Sequence, residues 1–181
     1  MRHCLYILIA LIISAPAFAQ DASMGTTYSK NSKLNKHEIK LGVIKPIAYK
    51  AIEFTYEFVA SNKFGFGLAI LNNTDKTNDF KEDFTITPFA RFYFQDPSKQ
   101  LGNGLFLEGF GKYVSGRYKG LNESEIAYKT TAIGLGGGYK WLLKSGFIIE
   151  PVVGFSTALA PKDVAAPSGG LRADIALGYR L

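Results

Sequence analysis

Among 181 residues there is one cysteine and there are two histidines. Cys4 and His3 sit at the very start of the chain, inside the segment read below as a removable export signal. Beyond that segment no thiol and a single imidazole, His37, remain. No disulfide can form in the exported chain, and no thiolate can act as a nucleophile. A catalytic triad or a transition-metal site is hard to assemble without cysteine and with one histidine. His37 opens the first strand and reads as a solvated strand-end residue. No catalytic residue, metal ligand or cofactor-binding residue is assigned. Long hydrophobic runs are missing too. Leu5 to Ile13, broken by Tyr6, is too short for a membrane-spanning helix, which needs about 20 apolar residues. No amphipathic helix of useful length appears. Gly134-Leu135-Gly136-Gly137-Gly138 lacks the Lys-Ser/Thr ending and the following helix of a phosphate loop. The net charge is +6. The basic residues are scattered, however, and no nucleic-acid motif accompanies them, so nucleic acid is not an expected partner.

What the start of the chain does have is the pattern of an export signal over residues 1–19. Arg2 and His3 precede the short apolar run, and Ala17-Phe18-Ala19 supplies the small residues that signal peptidase reads, placing cleavage before Gln20. Residues 20–36 are polar, rich in Ser, Thr, Asn and Lys, and are expected to form a flexible N-terminal tail. Residues 37–181 are expected to form one domain.

That domain is written in period two. In Leu171-Arg172-Ala173-Asp174-Ile175-Ala176-Leu177-Gly178-Tyr179-Arg180-Leu181 the odd positions are apolar, and the even positions hold the charges and small residues. Successive strand side chains point to opposite faces, so this is strand patterning. Seven earlier segments behave alike: Ile39 to Val43, Ile52 to Phe58, Phe64 to Ile70, Phe84 to Phe94 and Leu105 to Tyr113, then Ile133 to Trp141 and Phe147 to Leu159. Tight turns are expected at Ser61-Asn62-Lys63 and Lys144-Ser145-Gly146. Loops are expected near Pro46 and at 72–79, 96–103, 116–124 and 161–170. Pro88, inside the fourth segment, predicts a β-bulge there. Eight strands with short connections predict an all-β fold, an eight-stranded antiparallel up-and-down transmembrane β-barrel.

Period two alone leaves the orientation open, because a soluble lipocalin-like barrel hides its apolar face inside. Three features favour an apolar outside. The second face is rich in glycine and small residues. Its charges nearly balance, with Lys40, Arg91, Lys112, Lys140, Arg172 and Arg180 against Glu53, Glu57, Glu108, Glu150 and Asp174. Buried charges must be paired, and a closed, salt-bridged lumen does that. Aromatics such as Phe94, Tyr113, Trp141, Phe147 and Tyr179 fall near strand ends, where interfacial girdles lie. Glu108 and Glu150 fit this charge network better than a catalytic pair of carboxylates.

Several stretches carry a family resemblance. Among them are Ile52-Glu53-Phe54-Thr55-Tyr56-Glu57, Ile86-Thr87-Pro88-Phe89-Ala90-Arg91-Phe92-Tyr93-Phe94, Gly136-Gly137-Gly138-Tyr139-Lys140-Trp141 and the terminal Gly178-Tyr179-Arg180-Leu181. They resemble the DUF-3575 family of small bacterial outer-membrane barrels, whose role is unknown. The resemblance spans most of the exported chain in order, with Leu181 where a terminal Phe is more usual. It implies a barrel in the outer membrane of a Gram-negative bacterium, in contact with outer-membrane lipid, and delivered to the barrel-assembly machinery through its C-terminal strand. It brings no established activity, and no catalysis is expected. The leading expectation is a structural or surface-interaction role through the outward loops, whose ligand the sequence does not name. A narrow pore for a small solute and a lipid-modifying enzyme are the alternatives.

Overall fold

The computed structural model describes residues 35–75, 80–94, 101–119, 125–159 and 169–181. The export signal and nearly all of the polar tail, up to residue 34, lie outside the described residues, as do parts of four expected loops.

Eight strands close into one antiparallel up-and-down barrel. They are β1 (His37–Gly42), β2 (Ala51–Val59), β3 (Phe64–Asn73), β4 (Glu82–Tyr93), β5 (Gly104–Lys119), β6 (Glu125–Leu142), β7 (Phe147–Ala158) and β8 (Gly169–Arg180). Each strand pairs with its neighbour in sequence, and β1 closes on β8 in the register Glu38↔Arg180 to Gly42↔Ala176. Closure removes the sheet edges that an open all-β fold would leave.

The alternation sorts the faces as the sequence predicts. On β2, Ala51, Glu53, Thr55, Glu57 and Val59 are buried, while Ile52, Phe54 and Tyr56 are exposed. Leu135, Phe155 and Leu171 are 68%, 66% and 69% exposed. The apolar face is therefore the outer one. From the end that carries residues 37 and 180 up to Tyr113 on β5 and Thr131 on β6, no outward strand position holds Asp, Glu, Lys or Arg. Aromatic contacts gather at that end. Phe64, Phe92 and Phe94 stack edge-on, and Tyr139 packs on Trp141.

Two turns at this end use local chemistry. Ser61 Oγ accepts the backbone N–H groups of Lys63 and Phe64. Gly146 has φ of +88°, and a Cβ there would press on the Tyr179 ring, so the turn between β6 and β7 needs glycine.

Three sequence expectations are corrected. The loop near Pro46 contains a short helix, α1 (Ile44–Tyr49). Pro46 sits in its first turn, where a missing N–H costs nothing. Asp174 Oδ1 accepts the N–H of Ile44 at 3.0 Å, and Lys50 closes the other end with a left-handed φ of 53°. Six residues are too few for a stable free helix, so these end contacts hold it. Beside it, Asp75 hydrogen-bonds Lys50 at 2.8 Å and raises its ammonium above the ordinary range. Secondly, the expected loop at 116–124 is shorter, because β5 and β6 stay paired to Lys119↔Glu125. Their hairpin rises beyond its neighbours, since β4 reaches only Gly116 and β7 only Ala132. Thirdly, no bulge lies at Pro88. The register is unchanged between Ile86↔Tyr113 and Phe89↔Phe110, and the shift falls between Glu82 and Phe84. Pro88 points outward, its neighbourhood simply skips pairing with β5, and the β3 side continues through Leu68↔Pro88.

Candidate functional site

The inward positions of the strands bring most of the buried charge together. Glu38 and Lys40 come from β1, Glu53 and Glu57 from β2, Arg91 from β4, and Glu108 from β5. Lys140 comes from β6, Glu150 from β7, and Arg172, Asp174 and Arg180 from β8. A twelfth charge, Lys45, reaches in from α1. All twelve are buried.

They form one continuous chain of ion pairs. Arg180 binds Glu38. Lys40 Nζ lies 3.3 Å from Glu38, 2.5 Å from Glu57 and 2.8 Å from Glu150. Lys140 Nζ lies 2.7, 3.0 and 3.7 Å from the same three residues. Arg91 bridges Glu57 at 2.6 Å, Glu150 at 2.9 Å and Glu108 at 2.7 Å. Arg172 binds Glu108 and approaches Glu53 at 3.5 Å. Lys45 binds Glu53 and stands 3.5 Å from Asp174. The cations are Lys40, Lys45, Arg91, Lys140, Arg172 and Arg180; the anions are Glu38, Glu53, Glu57, Glu108, Glu150 and Asp174. Six against six is neutral. Neutrality is what a low-dielectric interior demands of ions that cannot be left alone.

Ten of the eleven charges assigned to the lumen from sequence join this chain. Lys112 does not; it binds Glu82 nearer the opposite end. Sequence reasoning misses Glu38, although its even spacing from Lys40 and Gly42 places it inward. It also passes over the Tyr93 hydroxyl, which accepts from Lys140 Nζ at 2.6 Å and donates to Glu57. Nothing in the pattern around Lys45 marks it, because a helix rather than a strand delivers it.

The interior is not purely polar. Phe89, Tyr93, Phe106 and Phe110 also point inward. The Arg91 guanidinium lies 4.4 Å from the Phe89 ring centre and 4.3 Å from that of Phe106, and Lys140 Nζ lies 4.8 Å from the Tyr93 ring centre. These are cation–π distances. The rings lie against glycines. A Cβ on Gly134 would strike the Phe110 ring, one on Gly67 the Phe89 ring, and one on Gly138 the Phe106 ring. The inward glycines thus make room for flat aromatics in a narrow barrel.

Glu38, Glu57 and Glu150 offer carboxylate oxygens within 4.8 Å of one another, a spacing a metal ion could use. The ammonium groups of Lys40 and Lys140 already fill the space between them, so the donor set is satisfied without an ion. Toward the opposite end, Glu82, Lys112, Tyr128, Thr130 and Ser156 help line a space of about 30 Å³, room for about two water molecules. His37 faces outward, its Nδ1 2.7 Å from the Tyr56 hydroxyl, away from the buried charges.

Shape and interior together define a small closed antiparallel barrel, apolar outside and ionised inside. The same fold occurs in the N-terminal β-barrel domain of OprF from Pseudomonas aeruginosa, which this chain matches with a TM-score of 0.59 at 15% identity, over 80% of this chain and 96% of that one. No protein-family model and no curated protein matches the chain.

Proposed function

We propose that this chain is an outer-membrane β-barrel of a Gram-negative bacterium, with a structural or surface-interaction role and no catalysis. The observation that carries this reading is the charge-free outer band wrapped around a neutral, ion-paired interior. In water the arrangement is backward, because apolar residues would face solvent and ions would be buried at a cost. In lipid it is the favoured arrangement, because the closed sheet satisfies its own backbone and the outer band meets hydrocarbon. The export signal read over residues 1–19 supplies the route, and the DUF-3575 resemblance supports the same location. The likeness to the OprF barrel domain is one of fold. The continuous ion-pair chain across the interior favours a plugged scaffold over a pore, and leaves the β5–β6 hairpin and the loops beside it as the surface for contacts.

The test is electrophoretic and cellular. The chain should fractionate with outer membranes, require detergent for extraction, and migrate differently before and after boiling, because a closed barrel resists unfolding by detergent. Recovery as a soluble protein without detergent overturns the reading. Steady single-channel conductance in planar bilayers would replace the scaffold by the narrow pore.

A further inference from the structure

The end of the barrel that carries residues 37 and 180 holds a feature that the ion-paired interior does not explain. Beside the β2–β3 turn lies an open cleft of about 490 Å³, lined in part by Lys36, Ala60, Ser61, Lys63, Phe64 and Leu101. Among the described residues, its two charged lining residues are both cations, both exposed, and none of the lining residues is acidic. The backbone around them is fixed. Val59 N donates to Lys36 O at 2.8 Å, Tyr93 N donates to Lys63 O at 2.8 Å, and Ser61 N donates to Phe64 O at 3.1 Å. One wall is apolar and continuous with the outer face. Phe64 packs edge-on against Phe92 at 5.5 Å, and Phe92 against Phe94 at 5.1 Å. The cleft therefore joins two ammonium groups to the lower margin of the charge-free band.

We propose that this cleft seats the headgroup phosphate of an anionic phospholipid from the leaflet on the side of residues 37 and 180, with an acyl chain running along Phe64, Phe92 and Phe94. The assignment rests on the membrane reading above. The complementarity is in two parts: an anion for Lys36 and Lys63, and hydrocarbon for the phenylalanine wall beneath them. A soluble anion would use the lysines and leave the wall idle. Lysines at a membrane surface each contribute about 1 kcal/mol of attraction to anionic lipid, roughly fivefold in affinity.

The test is native mass spectrometry of the full chain in detergent, titrated separately with phosphatidylglycerol, phosphatidylcholine and inorganic phosphate. Wild type should retain phosphatidylglycerol at concentrations where phosphatidylcholine does not bind. Lys36→Gln and Lys63→Gln should each weaken retention about fivefold. Lys81→Gln, an exposed lysine at the opposite end, should change nothing. All three are surface changes, and heat-modifiable migration checks that each variant is folded. Equal phosphatidylglycerol retention by wild type and the Lys36→Gln/Lys63→Gln double variant overturns the cleft while leaving the membrane reading intact. Inorganic phosphate competing as well as the lipid also overturns it, since the wall would then play no part. A chain that stays soluble without detergent overturns both.

Discussion

Lys40 on β1 and Lys140 on β6 hold the same three carboxylates, those of Glu38, Glu57 and Glu150, each ammonium lying within 4.0 Å of all three. Neither lysine has a carboxylate to itself. Lys40→Met leaves three buried glutamates around one ammonium. Removing one member of a buried pair typically costs about 3–5 kcal/mol, and the urea midpoint in detergent should fall accordingly. Adding Glu57→Gln, the nearest partner at 2.5 Å, should recover part of the loss. Strict additivity of the two changes would show that water screens the interior.

Glu108 gives a second cycle with a negative control built in. It accepts from Arg91 at 2.7 Å and from Arg172. Glu108→Gln should destabilise by about 3–5 kcal/mol, as for any buried pair broken on one side. Its coupling with Arg172→Met should lie in the range of about 0.5–3 kcal/mol found for contacting residues. Lys112, paired instead with Glu82, should not couple to Glu108. Equal coupling to both cations would mean that charge balance matters and contact does not.

The outer face is tested at its most exposed middle. Leu135→Arg on β6 should cost about 2–4 kcal/mol in a bilayer. Asp75→Arg, beyond the end of β3, should leave the midpoint nearly where it is. Refolding yields in lipid vesicles read both. If the two variants behave alike, the outer band does not meet hydrocarbon.

The glycine seats make a steric prediction. A Cβ at Gly134 meets the Phe110 ring and the carbonyl of Phe155, whereas one at Gly170 meets nothing within 4 Å. Overpacking a filled interior costs about 1–3 kcal/mol, so Gly134→Ala should lower stability and Gly170→Ala should not. Phe110→Leu in the Gly134→Ala background should return some of the loss. No recovery would place the strain in the backbone contact alone.

Period two makes most of this architecture legible in the amino-acid sequence. It identifies eight strands, their faces and ten of the twelve charges in the chain of ion pairs. The order of pairing follows from short connections. What alternation cannot reach is whatever leaves the strand. Val43, in phase with Ile39 and Leu41, ends β1 by donating to Ile175 O, and the chain then coils into α1. That coil is what turns Lys45 inward. The length of the β5–β6 hairpin is hidden because Ser115 and Gly116 look like loop residues, while cross-strand pairing from Gly116↔Tyr128 to Lys119↔Glu125 sustains the strands. Pro88 is a poor guide to the bulge, because proline marks where a hydrogen bond is missing, not where an extra residue is inserted.

The ion-paired interior also has a consequence in time. Glu38 and Arg180, which bind each other, are separated by 142 positions in the chain. Contacts so distant form late. Until β1 meets β8, Glu38 lacks Arg180, and Asp174 and Arg172 lie apart from Lys45 and Glu53. A partly assembled sheet thus holds uncompensated ions, and each added strand deepens that imbalance or relieves it. The barrel has no comfortable halfway state. Its closure should run to completion or reverse, and the joining of its first and last strands is the step that commits it.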